Sequence, residues 1–204
     1  MQKIFYNILN ALNWRQIMGR LWEVGKKLIT SVSWKQPDLN SQISGAPNFK
    51  YKEFVKSDTA TRLGIDNTPN RQQWENIEKL AVNVLQPIRN KFGSIRITSG
   101  FRSEELCIAI GSFSMINGKR VVTSNHARGE ASDIEPAVKG VTLMDLAEWS
   151  YNNLEFRTLI CEYFPEGWIH IDYREDGNLH RLKLKDANHN YENVDLDYLK
   201  RLYS

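Results

Sequence analysis

Trp74, Ile77, Leu80, Ala81, Val84, Leu85, Ile88 and Phe92 recur at three- and four-residue steps, and no other feature of the chain constrains its fold as strongly. That spacing puts all eight side chains on one face of a helix. At 1.5 Å of rise per residue the apolar stripe runs for roughly 28 Å. A stripe that long must be covered, so the chain is expected to build a layered domain around this helix. Pro87 falls inside the pattern without shifting its phase, which predicts a kinked helix that continues past it.

Shorter signals surround this helix. "SIRIT" (94–98) and "SDIEP" (132–136) read as strands, "SEELCIAIG" (103–111) as a helix, and "GWIHIDYR" (167–174) as a β-rich run. Thr142 and Asp145 have the spacing of a capping box opening a helix to about Asn152, and a further helix is expected over 155–163. The fold class that follows is α+β, a small central antiparallel sheet flanked by helices, with a helical arm at the N-terminus.

The arm stands apart in charge and composition. Residues 1–45 hold six Lys/Arg against two Asp/Glu, so the whole of the net charge of +3 belongs to them and the remainder is close to neutral. A body without a basic face has no general electrostatic reason to bind nucleic acid. Between Trp14 and Ile29 the residues Trp14, Ile17, Met18, Leu21, Trp22, Leu28 and Ile29 share a face, with Arg15, Arg20, Lys26 and Lys27 largely opposite. Residues 1–30 therefore read as a basic amphipathic arm, packed on its own domain or a partner, or lying on an anionic membrane surface. The Ser-, Asn- and Pro-containing stretch 31–47 reads as a polar linker, which favours an arm projecting from a domain spanning 48–204 with a C-terminal tail.

Asn7, Asn10 and Asn13 interrupt the apolar start of the chain, and no small-residue cleavage site follows, so a removable signal peptide is not expected. Nor does any run of about 18 apolar residues suggest a membrane span. Cys107 and Cys161 are far apart in apolar surroundings and read as buried thiols.

The chain has four histidines. His180 and His189 sit in a polar tail and read as solvated. His126 lies in a turn-like stretch, "TSNHARGEASDIEP", where Gly129 lets the chain reverse before the strand carrying Asp133. In "WIHID", strand alternation puts Trp168, His170 and Asp172 on one face. A catalytic zinc needs three protein ligands and an open position, and two imidazoles with a carboxylate can supply them. Scattered His and Asp residues are common, however, and this pattern alone does not decide between a metal site and ordinary polar side chains.

The ordered set "SGFRS" (99–103), "SNHARGEASD" (124–133) and "WIHID" (168–172) resembles the zinc D-alanyl-D-alanine carboxypeptidase family, including its phage endolysin and peptidoglycan peptidase branch. The resemblance covers residues 48–185, and its most specific piece is the H-x6-D segment with Gly129 and Ala131 in place. It implies that His126, Asp133 and His170 ligate zinc, that Arg102 binds a substrate carboxylate or carbonyl oxygen, and that Ser124 contacts substrate or orients a ligand. A guanidinium fork matches a carboxylate in a way that a lysine does not. The general base is expected at Glu166, four residues before His170, with Glu162 as the alternative. Two features depart from the family pattern: Cys107 replaces an expected Asn, and the link "GSFSMINGKRVVTS" is longer than usual.

The resulting expectation is a zinc metallopeptidase acting on the stem peptide of bacterial peptidoglycan, as a D-Ala-D-Ala carboxypeptidase or an L-Ala-D-amino acid endopeptidase. Its expected setting is a phage or prophage, either in the host cytoplasm until lysis exposes the cell wall or on the virion. Residues 1–30 would meet a membrane surface or a virion partner. The competing expectation is a non-enzymatic docking protein of a phage particle that retains the peptidase fold.

Overall fold

The computed structural model describes residues 34–202, so the amphipathic arm of residues 1–30 lies outside the described residues. The compact unit begins at Pro37. This is earlier than the linker reading placed it. Strands β1 (Gln42–Ile43) and β2 (Ala46–Lys50) pair through a turn at Gly45, and Ile43, Ala46 and Phe49 are buried in the core. Three inward apolar side chains outweigh the polar composition around them.

After α1 (Tyr51–Val55) and α2 (Asp58–Leu63), the core helix starts at Asn70, whose side chain accepts from the Gln73 amide in a capping box. It comprises α3 (Arg71–Leu80), a π-helical segment (Ala81–Leu85) and α4 (Gln86–Phe92). The π segment is how the helix tolerates Pro87. Proline offers no amide, and its ring would press on the carbonyl four residues back. Widening the preceding turn, with the Gln86 amide reaching back to the Ala81 carbonyl, relieves that clash and keeps the apolar face in phase. Trp74, Ile77, Leu80, Ala81, Val84, Leu85 and Ile88 are all buried.

The chain continues through β3 (Ile95–Ser99), α5 (Glu104–Ala109), the hairpin β4 (Ser114–Ile116) and β5 (Lys119–Val121), β6 (Ala131–Pro136), and α6 (Leu143–Asn153). Then follow β7 (Thr158–Glu162), β8 (Trp168–Asp172), β9 (Arg181–Lys185), β10 (Tyr191–Asn193) and α7 (Leu196–Arg201). The main sheet has the order β10-β9-β7-β8-β6-β3 and is antiparallel except for the parallel pair β7/β9. The mixed α+β class therefore holds, with one parallel pairing that the sequence did not suggest.

Residues 155–163, expected to be helical, instead contain β7. Leu159 and Cys161 point into the core while Thr158, Ile160 and Glu162 face the other way, and β8 and β9 satisfy the backbone on both sides. Tertiary pairing overrides a segment whose local signal was ambiguous. The supposed tail likewise supplies β9, β10 and α7, with Leu182 and Leu199 buried. Ile134, Leu159, Cys161, Ile169, Ile171 and Leu182 belong to the hydrophobic core. Strand alternation turns Asp133, Glu162, His170, Asp172, Lys183 and Lys185 to the opposite face, which lines a cleft of about 940 Å³. Among the described residues no helix is long and apolar enough to cross a membrane.

Candidate metal centre

His126 opens a short 3-10 turn (His126–Arg128) closed by Gly129, whose φ of 72° lies in the left-handed region. A Cβ on Gly129 would stand 2.5 Å from the Gln73 carbonyl, so the core helix leaves room there only for glycine. The reversal expected at this glycine is what returns the chain to β6 and Asp133. On β8, His170 is the direct cross-strand partner of Asp133. His126, Asp133 and His170 are all buried.

Their donor atoms converge. Asp133 Oδ1 lies 2.9 Å from His170 Nδ1 and 3.2 Å from His126 Nε2, and the two imidazole nitrogens are 3.1 Å apart. An ion with bonds of about 2.0–2.1 Å to tetrahedral ligands separates those ligands by about 3.3 Å. The triangle thus has nearly the dimensions of one face of a zinc tetrahedron. The His, Asp, His donor set, with nitrogen and oxygen atoms and no thiolate, fits a catalytic zinc site with one position left for water.

The surroundings fix each candidate ligand. His126 Nδ1 lies 2.6 Å from the Gly100 carbonyl, so it carries the proton and leaves the Nε2 lone pair facing the triangle. Gly100 is required as well, because a Cβ there would come within 2.4 Å of the Phe54 carbonyl. Burial pushes the His126 pKa down, favouring the neutral ligand form. Burial also works against charge on Asp133, but His126 and His170 outweigh it and hold the carboxyl well below the usual range. For His170, burial opposes protonation, yet the hydrogen bonds and charges of Asp133 and Asp172 prevail and raise its pKa to about 9. The triangle is a place that attracts a cation.

Asp172 shares the strand face of His170. It is 2% exposed, and its Oδ2 lies 3.6 Å from His170 Nε2, on the side away from the triangle. Its Oδ1 accepts from the Thr158 amide at 2.7 Å, and the Asn125 side-chain amide donates to Oδ2. Asp172 is thus a carboxylate behind a candidate ligand histidine, placed where it can orient the ring. The H-x-D spacing of "WIHID" was the signal that pointed to it.

Arg102 lies in the same cleft, but part of its fork is engaged. Nη2 donates to Asp133 Oδ2 at 2.6 Å and Nε to Ser99 Oγ at 2.8 Å. It therefore holds the second oxygen of the candidate ligand carboxylate as well as facing the cleft. Ser124 also lines the cleft.

Glu166 does not. It is exposed in the turn after β7 and lines a separate cavity of about 320 Å³ beside Glu135, Pro136 and Leu143. The turn carries it beyond the strand end, away from the metal-site face. Glu162, the last residue of β7, is buried on that face with its Oε2 2.7 Å from Lys185 Nζ. The choice between these glutamates depended on the β7 register, which the helical reading of 155–163 concealed. His180 stacks on Phe156 with ring centroids 4.3 Å apart. His189, at the cleft edge, has its Nδ1 2.6 Å from the Tyr163 hydroxyl.

In comparison with known proteins, a family model described as Peptidase M15 matches residues 47–172. That span contains His126, Asp133, His170, Arg102 and Glu162. No curated protein matches the chain.

Proposed function

Since the chain belongs to the peptidase M15 family, the family of the zinc D-alanyl-D-alanine carboxypeptidases, we propose that it is a zinc-dependent peptidase that hydrolyses the stem peptide of bacterial peptidoglycan. The observation that carries this reading is the triangle of donors from His126, Asp133 and His170, with edges of 2.9, 3.1 and 3.2 Å.

Zinc held by these three residues supplies Lewis-acid chemistry, polarising a carbonyl and bringing the pKa of a water towards about 7. The protein's own groups do the rest. Glu162 is the carboxylate on the cleft face suited to take a proton from the attacking water and return it to the leaving amine. Lys185 holds that carboxylate in place. Arg102 steadies Asp133 and presents the remainder of its guanidinium to a substrate oxygen, while Ser124 offers a hydroxyl to the peptide. Asp172 keeps His170 from rotating out of the triangle.

The setting we propose is a phage or prophage lytic enzyme, reaching the wall at lysis or carried by the virion, with residues 1–30 as the attachment element. The test is incubation of the zinc-supplemented protein with purified peptidoglycan, followed by mass analysis of the released peptides. New peptide termini are expected, and should disappear with a chelator and in His126→Ala. Intact stem peptides after prolonged digestion would refute the reading, while the masses of released fragments distinguish a terminal D-Ala-D-Ala cut from an internal one.

A further inference from the structure

The metal cleft contains three carboxylates, Asp133, Glu162 and Asp172, and three cations, Arg102, Lys183 and Lys185. Two of the cations have partners. Arg102 binds Asp133 at 2.6 Å, and Lys185 binds Glu162 at 2.7 Å while its ammonium lies 5.1 Å from the ring centres of both Tyr163 and Tyr191. Lys183 is different. It is half-buried on β9 and makes no side-chain hydrogen bond or ion pair among the described residues. A partly desolvated ammonium without a partner is poised to take an anion.

Its position is set by the sheet. Lys183 pairs with Ile160 of β7, Ile160 with His170 of β8, and His170 with Asp133 of β6. These residues form one row across the sheet, on the face that lines the cleft. At about 4.8 Å between strands, the Lys183 backbone stands roughly 10 Å from that of His170. The flexible four-carbon stem lets the ammonium lean back towards the metal site. An extended peptide advances about 3.3–3.6 Å per residue, so a group meeting Lys183 belongs one or two residues from the bond being cut. Once a divalent ion is bound, positive charge exceeds negative in the cleft, which favours an anionic substrate.

We infer that Lys183 is a specificity-determining residue that anchors a substrate carboxylate one or two residues from the scissile bond, an inference that rests on the peptidase reading above. The carboxylate is either the peptide's C-terminus or that of an acidic residue within the stem. The measurement uses the full zinc-loaded chain and three synthetic stem pentapeptides: one with both carboxylates intact, one amidated at its C-terminus, and one amidated at its D-glutamyl carboxylate. Calorimetric titration gives Kd, and cleavage gives KM and kcat.

One amidated peptide should bind about tenfold more weakly than the intact one, which identifies the carboxylate involved. Lys183→Met should weaken binding of the intact peptide by a similar factor, with no further loss for the peptide already lacking that carboxylate. Zinc content should be unchanged and kcat within about twofold, and Lys183→Arg should recover most of the loss. Cleavage of all three peptides with constants that Lys183→Met leaves unchanged would overturn the assignment of Lys183 alone. A wild-type protein that neither binds nor cleaves any of them would overturn both this inference and the peptidase reading.

Discussion

Replacing Asp172 by Asn changes one atom of a buried side chain without changing its size, and should weaken zinc binding 10- to 100-fold. In the native arrangement one oxygen of Asp172 accepts from the Thr158 amide at 2.7 Å, while the other takes the Asn125 amide and faces His170 Nε2 at 3.6 Å. An asparagine cannot satisfy all of these partners. With its oxygen towards Thr158, its NH2 group meets two donors, Asn125 and the Nε2–H of a ligating His170. With its oxygen towards His170, the Thr158 amide is left buried without an acceptor, at a cost of about 1–3 kcal/mol. Either orientation loses the negative charge behind the ligand, and loss of such a partner typically reduces metal affinity 10- to 100-fold, equivalent to about 1.4–2.8 kcal/mol. Competition against a chromophoric chelator measures zinc Kd, and circular dichroism verifies that the sheet is retained. A well-folded Asp172→Asn protein with wild-type zinc affinity would refute the positioning role of Asp172.

Glu162→Gln should lower kcat about 10²- to 10⁴-fold with zinc retained, whereas Glu166→Gln should leave kcat unchanged; peptide release followed by chromatography separates the two. Arg102→Lys keeps the charge but loses the fork that reaches both Asp133 and Ser99, so activity should fall and zinc affinity should fall with it, as chelator competition will show. Gly129→Ala forces a Cβ into a left-handed position 2.5 Å from the Gln73 carbonyl, which should destabilise the domain by at least about 1–2 kcal/mol in urea unfolding. The metal-free protein should lose stability as pH rises through about 9, because the folded-state pKa of His170 is raised. That contribution is fully present below the unfolded value of about 6.5. Saturating zinc, which displaces the proton, should remove this pH dependence from thermal unfolding curves.

What the sequence determined by itself was whatever depends on local spacing. The apolar face from Trp74 to Phe92 is periodic and unbroken, so the core helix was legible, including its passage through Pro87. The capping box at Thr142 and Asp145 and the strand alternation of Trp168, His170 and Asp172 are local as well, and both are found in the structure. His126, Asp133 and His170 were named by their place in short motifs, and these motifs fold into a turn and two adjacent strands that bring the donors together.

What only the tertiary structure decided was the partner of each segment across long stretches of chain. Residues 158–162 have no helical or strand preference strong enough to settle their state, and they become β7 because β8 and β9 supply hydrogen bonds on both sides. That pairing in turn puts Glu162, and not Glu166, on the cleft face, since alternation turns one towards the cleft while the turn carries the other past it. Residues 181–193 read as polar tail because charged and polar side chains dominate them, although the alternation of "RLKLK" is itself a short strand signal, and only its pairing with β7 shows that it brings Lys183 and Lys185 to the site. Arg102 could be named from its motif, but its bond to Asp133 arises only because β3 lies beside β6. Periodicity is written in neighbouring residues, whereas cross-strand register is fixed by the competition of whole segments for one core, and it is register that assembled the cleft.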